Sequence, residues 1–483
     1  MNDVRDLTGK NRDKNTGTQV AAPGTVPARR IAYHPAQWRR LAFRDAVTDF
    51  LSGSDDPRAY LERCLETIAE CEPVVQAFVV TNIEGARRAA DESAKRYREG
   101  RPLSVVDGMP VGIKDLYETV DMPTQANSPV YAGWQSGRDA AHVYALRRGG
   151  ALILGKTTTT EFGMADPPPT RNPFDSERTA GGSSSGTAAA VGAGMLPVAS
   201  GSQARGSIVR PAGYCANYAL KPTYGAINKG GGLGMSPSHG VLGFHAATLR
   251  DMWETAFYVA QTIGGDPNCP GLYGEAALPQ AARPDAVVRL DTLGWDVTEP
   301  AAKAAFDSYM HDLGRQVRVI TRRDNALIEE LEQALRGIPA VMFPMLSYDM
   351  RWPAWPYRDA GRERLSPTLL SYLEKFENIG PDDYRRALDQ RARLRALFSQ
   401  VQNISPVCVA LCQPGIAPVG MGIGDPVYGD VSSVLGTPAI VLPVMAIEEM
   451  PLAVQVMGQA HMDYPLCAAA RWMADWALRR AAG

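Results

Sequence analysis

The sequence predicts an α/β fold, and two observations support this prediction. The chain has 483 residues, 45% of them hydrophobic, which is enough to bury a large core. From Met109 onward, short apolar runs alternate with helical patterns. The runs are Met109–Ile113, Ala151–Leu154 and Pro197–Ala199, and the helical patterns are Ala140–Arg148 and Thr187–Met195. Such alternation is typical of an α/β domain.

Further elements are predicted on both sides of this region. A helical lead-in covers Asp56–Glu72 and Ala86–Glu99, and a long amphipathic helix beginning at Leu249 ends at Gly264-Gly265. Two strands, Pro438–Met445 and Leu452–Met457, precede a last amphipathic helix at about Pro465–Arg480.

The segment Tyr348–Tyr357 concentrates aromatic residues and prolines, so it is predicted to be a structured loop and not a regular helix. Trp352, Trp355 and Tyr357 offer large apolar surfaces with a polar edge, which suits recognition of a bulky substrate group. Packing within a small core of their own is the alternative.

Composition excludes several classes of protein. A formal net charge of −2 gives no reason to expect nucleic acid or an acidic membrane as a partner, which leaves a small molecule. The seven cysteines lack a C-x-x-C pair and are expected to be reduced. No stretch resembles a secretory signal or a membrane span, so we expect a cytoplasmic protein with a disordered leader over residues 1–40.

Three segments combine small residues with a lysine or serine that can project from them. They are Gly108-Met109-Pro110-Val111-Gly112-Ile113-Lys114-Asp115, Gly181-Gly182-Ser183-Ser184-Ser185-Gly186-Thr187-Ala188 and Gly201-Ser202-Gln203-Ala204-Arg205-Gly206-Ser207-Ile208-Val209-Arg210-Pro211-Ala212. Hydrolysis of an amide by a serine needs a base, donors for the oxyanion and an acid for the leaving amine.

These segments resemble the amidase signature family, whose members share G-[IV]-K-D, G-G-S-S-[GS]-G and G-G-S-I-R-x-P runs. In that family the nucleophile lies 24 residues after the first serine of the Gly-Ser run, as Ser207 lies after Ser183. The resemblance implies Ser207 as nucleophile, Ser183 as relay after a cis peptide bond at Gly182–Ser183, and Lys114 as base. It also implies an oxyanion hole formed by the backbone N–H groups of Ala204, Arg205, Gly206 and Ser207.

A lysine acts as a base near neutral pH only if burial or a nearby positive charge lowers its pKa from about 10.4. Two residues depart from the family pattern: Arg205 replaces the first glycine of the G-G-S run, and Val209 stands where an arginine usually follows. The Arg205 guanidinium is expected to pair with a carboxylate of the protein or to bind an acceptor on the substrate.

The resulting expectation is one large amidase domain over residues 41–483, with a mixed, twisted central β-sheet flanked by helices. It comprises a signature core at about 105–265, a substrate cap at about 270–378 and C-terminal strands and a helix at about 430–481. We expect hydrolysis of a small-molecule amide, with ester or carbamate also within reach, without metal or organic cofactor. The sequence leaves open whether the protein forms a homodimer.

Two alternative functions remain at this point. Gly182-Ser183-Ser184-Ser185-Gly186 also satisfies the nucleophile-elbow pattern of α/β-hydrolase esterases, with Ser184 as nucleophile. The other alternative lies within the same family and is an ammonia-releasing A-type subunit of a tRNA-dependent amidotransferase, which would need partner proteins.

Overall fold

The computed structural model describes residues 29–38, 41–234 and 236–482. The strands are β1 Phe78–Thr81, β2 Pro110–Lys114, β3 Leu152–Thr157, β4 Val198–Gln203, β5 Tyr218–Lys221, β6 Val241–Ala246, β7 Ala286–Arg289, β8 Arg318–Ile320, β9 Cys408–Leu411, β10 Ala439–Ile447 and β11 Met450–Met457. In the described residues they form one sheet in the order β1-β3-β2-β4-β6-β5-β10-β11-β9-β7-β8.

The helices occupy most of the remaining chain. They are α1 Phe43–Ser52, α2 Pro57–Val75, α3 Ile83–Arg98, α4 Ala141–Arg148, α5 Ser185–Gly192, α6 Val209–Tyr214, α7 Leu249–Ile263, α8 Gly294–Val297, α9 Pro300–Leu313, α10 Ala326–Leu335, α11 Ile338–Asp349, α12 Arg351–Gly361, α13 Pro367–Glu377, α14 Pro381–Val401, α15 Val427–Leu435 and α16 Asp463–Ala482.

The sheet is mixed. Strand β2 is parallel to both β3 and β4, and β7 is parallel to β8 and β9. The pairs β4–β6, β5–β6, β5–β10 and β10–β11 are antiparallel. The prediction of an α/β domain with a mixed central sheet flanked by helices is therefore confirmed.

Helix α7 shows why the predicted elements form where they do. It begins after Thr248, whose hydroxyl accepts a hydrogen bond from the Asp251 N–H, and it ends at Gly264, which has a φ of 75°. Its apolar face, which includes Met252 and Trp253, is buried in the main core. The N-cap, the terminating glycine and the hydrophobic periodicity therefore all indicate the same helix bounds.

The prediction of a loop over Tyr348–Tyr357 is wrong, because this stretch ends α11 and forms most of α12. Pro353 lies in the first turn of α12, where an N–H would have no acceptor within the helix. Pro356 lies further in, so tertiary contacts must offset its missing hydrogen bond. One such contact is the stacking of the Tyr357 ring on that of Phe162.

The bounds predicted for the cap also change. Strands β7 and β8 fall within residues 270–378 but belong to the central sheet, so the first part of this segment is core. Helices α11 and α13 contact each other, and α11 also packs against α14, which continues to Val401. The helical cap is therefore the unit formed by α10 to α14.

The predicted leader is only partly within the described residues, since 1–28 and 39–40 lie outside them. Residues 29–38 pack against the domain. The Ile31 N–H donates to the carbonyl of Phe174, and the ring of Tyr33 packs edge-on against that of Phe174. The domain thus begins earlier than residue 41. Within the described part of the chain, no helix has both the length and the hydropathy needed to cross a membrane.

Candidate active site

Lys114 is the last residue of β2, and its position follows from the parallel pairing of β2 with β4. Gly112 pairs with Ala199 in this register. Because the carboxyl ends of parallel strands lie at the same edge of a sheet, Lys114 lies beside Ser202 near the end of β4. The side chain of Lys114 is completely buried.

Three serine hydroxyls surround the amine of Lys114. Its Nζ lies 2.8 Å from the Oγ of Ser183, 2.9 Å from that of Ser184 and 2.9 Å from that of Ser202. The Ser184 hydroxyl in turn lies 3.3 Å from the carbonyl oxygen of Ser202, to which it can donate. A buried amine with these neighbours is fully satisfied without a carboxylate partner.

The pKa of Lys114 is well below its usual value, chiefly because burial disfavours the charged amine and also because of the positive charge of Arg210. The sequence-based expectation that burial or a nearby cation would act on this lysine is met by both. The cation is Arg210. Arg210 is itself buried, and its pKa is lowered to about 10.

Ser183 lies in the glycine-rich turn that leads into α5. The Gly182–Ser183 peptide bond is cis, as the family resemblance implies. Gly181 adopts a φ of 80°, and a Cβ there would lie 2.8 Å from the ring of Tyr214. The carbonyl of Gly182 accepts a hydrogen bond of 2.5 Å from Nη2 of Arg210. Arg210 therefore touches the turn that holds Ser183.

Ser207 lies in the loop between β4 and α6, and Gln203 shapes this loop. The amide oxygen of Gln203 accepts hydrogen bonds from the N–H groups of Ile208 and Val209, at 2.8 and 3.0 Å. Its amide nitrogen donates to the hydroxyl of Ser433, at 3.0 Å. One side chain thus connects the start of α6 to α15.

Ser183 and Ser207 line the same cavity, which has a volume of about 720 Å³. Ser207 as a whole residue is 9% exposed. No hydrogen bond joins the Ser207 hydroxyl to Ser183 or to another described residue. The contact between Ser183 and Ser207 that the predicted relay needs is therefore not formed in this arrangement. Ser184 is fully buried and is not among the residues that line the cavity.

The predicted oxyanion residues lie in the same loop. Ala204, Arg205 and Ser207 line the cavity, whereas Gly206 is covered by Pro426 and Gly429. Among the described residues, no carbonyl accepts a hydrogen bond from the N–H groups of residues 204–207. These donors are therefore not used by the described part of the fold.

Arg205 pairs with a carboxylate of the protein, the first of the two outcomes expected for it. Its Nε lies 3.0 Å from Oδ1 of Asp430 and its Nη2 lies 2.6 Å from Oδ2. The Asp430 side chain is 5% exposed, whereas that of Arg205 is 43% exposed and lines the cavity. The guanidinium thus neutralises a buried carboxylate on α15.

The structure does not place Trp352, Trp355 and Tyr357 in the cavity lining. Trp352 is 83% exposed, and the guanidinium groups of Arg351 and Arg358 both pack on the ring of Trp355. Tyr357 comes nearest to the cavity, since its ring stacks on that of Phe162, a lining residue. Their expected direct role in substrate binding stays a prediction, which the lining of this cavity does not support.

The cap instead contributes other residues to the cavity, namely Phe343 and Leu346 from α11 and Tyr372 and Phe376 from α13. Sequence reasoning missed these four, together with Asp430, Gln203 and Arg210. Only Arg210 carried a usable signal, because it follows immediately after the position where Val209 replaces the family arginine.

The sequence predicts a reaction without a metal. The described residues contain no group of three or more His, Cys, Asp or Glu side chains that could hold an ion.

Comparison with known proteins identifies the family. The family model described as Amidase matches residues 59–339, more than half of the chain. The chain therefore belongs to the amidase family, as its motifs predict, and it is an amidase-type enzyme that acts on carbon–nitrogen bonds. This membership places the chain outside the α/β-hydrolases, the family on which the esterase alternative depends.

Curated relatives and solved structures resemble the chain over most of its length. The A subunit of glutamyl-tRNA(Gln) amidotransferase from Chloroflexus aggregans is 29% identical, over 87% of this chain and 93% of that protein. A chain from the structure described as "An unexpected vestigial protein complex reveals the evolutionary origins of an s-triazine catabolic enzyme" is 25% identical with a TM-score of 0.78, covering 90% of this chain and 98% of that one. A bacterial aryl acylamidase has the same TM-score at 20% identity, covering 92% and 99%, and supports the fold alone.

Proposed function

We propose that this enzyme hydrolyses a small-molecule amide through an acyl-enzyme on Ser207, with Ser183 as relay and Lys114 as base. The observation that carries the proposal is the 2.8 Å contact between the buried Lys114 amine and the Ser183 hydroxyl, at the wall of the cavity that Ser207 also lines. A neutral amine in this place can accept a proton, which a surface lysine cannot do at neutral pH.

The three hydroxyls around Lys114 determine which of them the lone pair of a neutral amine faces. A neutral amine donates two hydrogen bonds and accepts one. Ser184, whose own proton can go to the Ser202 carbonyl, and Ser202 then accept from the amine. The lone pair is left for the Ser183 hydroxyl, which is the arrangement that a relay requires.

The reaction would proceed in two steps. Lys114 takes the proton of Ser183 while Ser183 takes that of Ser207, and Ser207 Oγ forms a bond to the substrate carbonyl carbon. The N–H groups of residues 204–207 stabilise the negative charge on the carbonyl oxygen. Collapse breaks the carbon–nitrogen bond, and the relay returns the proton to the leaving amine. Water then attacks the ester on Ser207 with the same base. An ester or carbamate would pass through a similar intermediate.

A panel of aryl amides, alkyl amides, carbamates and dipeptide amides tests this proposal. The wild-type enzyme should turn over at least one member, and Ser207→Ala should abolish that turnover while the protein still folds. Full activity of a folded Ser207→Ala variant would refute the acyl-enzyme.

The second candidate is the ammonia-releasing A-type subunit of a tRNA-dependent amidotransferase. The curated relatives favour it, since several are subunits of that kind. Such a subunit would release ammonia from glutamine and depend on partner proteins for full activity. Measuring glutamine hydrolysis with and without added partner proteins separates the two candidates.

A further inference from the structure

We infer that the substrate carries an uncharged aryl or similarly bulky apolar group, which binds against a wall formed by Phe343, Leu346, Tyr372 and Phe376 (the cap wall). This inference rests on the proposed function and specifies its substrate class. The cap wall and Ser207 line one cavity, so a substrate held at the cap can present its carbonyl to the serine.

The cap wall leaves apolar surface open to the cavity. Phe343 is 41% exposed and Tyr372 is 36% exposed, although both face a concave, lined space. The rings of Phe343 and Phe376 pack edge-on with centroids 5.8 Å apart, and those of Tyr372 and Phe376 lie nearly parallel at 6.3 Å. Exposed aromatic surface in a cavity is typical of a ligand site, and a further ring can extend this cluster.

Two of the three cations that line the cavity are paired with carboxylates of the protein. Arg205 pairs with Asp430, and Lys229 forms an ion pair with Asp266. The third cation, Arg210, forms no ion pair with a described carboxylate; its Nε and Nη1 atoms lack a hydrogen-bond partner among the described residues, but both are buried.

The remaining charged lining residue is Asp425, an exposed carboxylate that accepts a hydrogen bond from the Val427 N–H. A zwitterionic substrate such as glutamine needs a free cation for its carboxylate as well as an anion for its amine, and would lose hydration without them. Because two of the cations are paired and the third is buried, the cavity favours an uncharged substrate.

The volume of the cavity also favours a bulky substrate. Cavities of roughly 300–1,000 Å³ hold drug-sized ligands, and this one has about 720 Å³. A small aliphatic amide would leave most of the cap wall in contact with water. An aryl amide would cover it, so part of the binding energy would depend on the aryl group.

The test compares matched amides in wild-type and variant enzymes. Benzamide, hydrocinnamamide and acetanilide represent aryl substrates, butyramide represents a short aliphatic one, and L-glutamine represents the zwitterion. We expect wild-type kcat/KM to be highest for an aryl amide and lowest for glutamine. Phe343→Ala should lower kcat/KM for aryl amides by about ten-fold, mainly through KM, while butyramide changes by less than about two-fold.

Trp352→Ala is the matched control, because Trp352 belongs to the same cap, is 83% exposed and does not line the cavity. Trp352→Ala should leave the ratios of kcat/KM between the aryl amides, butyramide and glutamine unchanged. Phe376→Leu provides a second variant that keeps a buried apolar side chain, in case a change at the cap affects folding. A wild-type preference for butyramide or glutamine, or an equal loss on all substrates in folded Phe343→Ala, would overturn the inference. Either result is compatible with a catalytic Ser207, whose failure shows separately as activity in Ser207→Ala.

Discussion

Arg205 and Asp430 form a two-point ion pair between the loop that carries Ser207 and helix α15, with contacts of 3.0 and 2.6 Å. The carbonyl of Arg205 also accepts a hydrogen bond of 2.7 Å from the Ser433 hydroxyl on the same helix. Side chain and backbone of one residue therefore fasten the proposed oxyanion loop to α15. The arginine that departs from the family pattern has a structural partner 225 residues away in the chain.

Replacing Arg205 with glycine should weaken turnover of all substrates to a similar degree. The change leaves the Asp430 carboxylate, which is 5% exposed, without its partner. Loss of hydrogen bonds to a charged group costs about 1.5–3 kcal/mol, so the melting temperature should fall as well. Kinetics on the amide panel and thermal unfolding measure both effects.

The double variant Arg205→Gly, Asp430→Asn is the control, because it removes the unpaired charge and should recover part of the lost stability. Loss confined to substrates with a carboxylate near the scissile bond, at unchanged stability, would instead assign Arg205 to substrate binding.

A fluorophosphonate probe should label Ser207. Ser207→Ala should abolish labelling and reduce turnover by more than about a thousand-fold, as loss of a nucleophile does in other serine hydrolases. Mass spectrometry of peptides from the labelled enzyme locates the modified residue. Ser184→Ala is the comparison, because Ser184 contacts Lys114 but is buried away from the cavity. Labelling of Ser184 in the wild-type enzyme would contradict the assignment.

Arg210 should control the pH at which the enzyme becomes active. Its charge helps to lower the pKa of Lys114, and only the neutral amine can accept a proton. The rate therefore falls as pH drops through the pKa of Lys114. Arg210→Met removes the neighbouring charge and raises that pKa, so the acidic limb of the kcat/KM profile should move to higher pH and activity near neutrality should fall.

Arg210→Lys keeps the charge and is the matched variant for this effect. Its acidic limb should stay close to that of the wild-type enzyme even if the altered contact with the Gly182 carbonyl lowers the maximal rate. Acidic limbs that coincide in the wild-type enzyme and Arg210→Met would show that burial alone sets the pKa of Lys114.

Overnight treatment with a chelator should leave activity unchanged, because the proposed reaction draws base, relay and nucleophile from Lys114, Ser183 and Ser207. Activity on the best substrate is compared before and after dialysis against the chelator. Loss of activity that a divalent metal restores would require a different mechanism.

The site residues that were predictable from the sequence all lie in short motifs. Lys114, Ser183 and Ser207 each belong to a run whose spacing can be read along the chain, and the sheet then brings the runs together. The partner of Arg205 was not predictable, because Asp430 is distant in the chain and its helix, α15, has no marker that links it to the Ser207 loop.

The helices of the cap were not predicted from the sequence, and the reason is physical. Proline propensity argues against a helix at Pro356, and contacts with residues distant in the chain, such as the stacking of Tyr357 on Phe162, offset it. The aromatic residues that stood out by composition, Trp352 above all, proved to be peripheral. The exposed aromatic surface that faces the cavity belongs to Phe343 and Tyr372, whose role depends on how two helices are placed.

Trp355 therefore tests whether the cap has two separable functions, binding and folding. Its ring lies 5.3 Å from the guanidinium carbons of both Arg351 and Arg358, and it packs against the core without lining the cavity. Trp355→Ala removes these contacts and should lower the free energy of unfolding by about 2–4 kcal/mol, near the lower end of values for buried aromatic residues. Since the ring does not line the cavity, kcat/KM should fall by a similar factor for benzamide and butyramide. Urea unfolding and kinetics on both amides give the two readouts, and Trp352→Ala should change stability by less than about 0.5 kcal/mol, as expected for an exposed site. A selective rise in KM for benzamide at unchanged stability would place Trp355 in the substrate pocket, and the cavity lining described for the cap would then have to include α12.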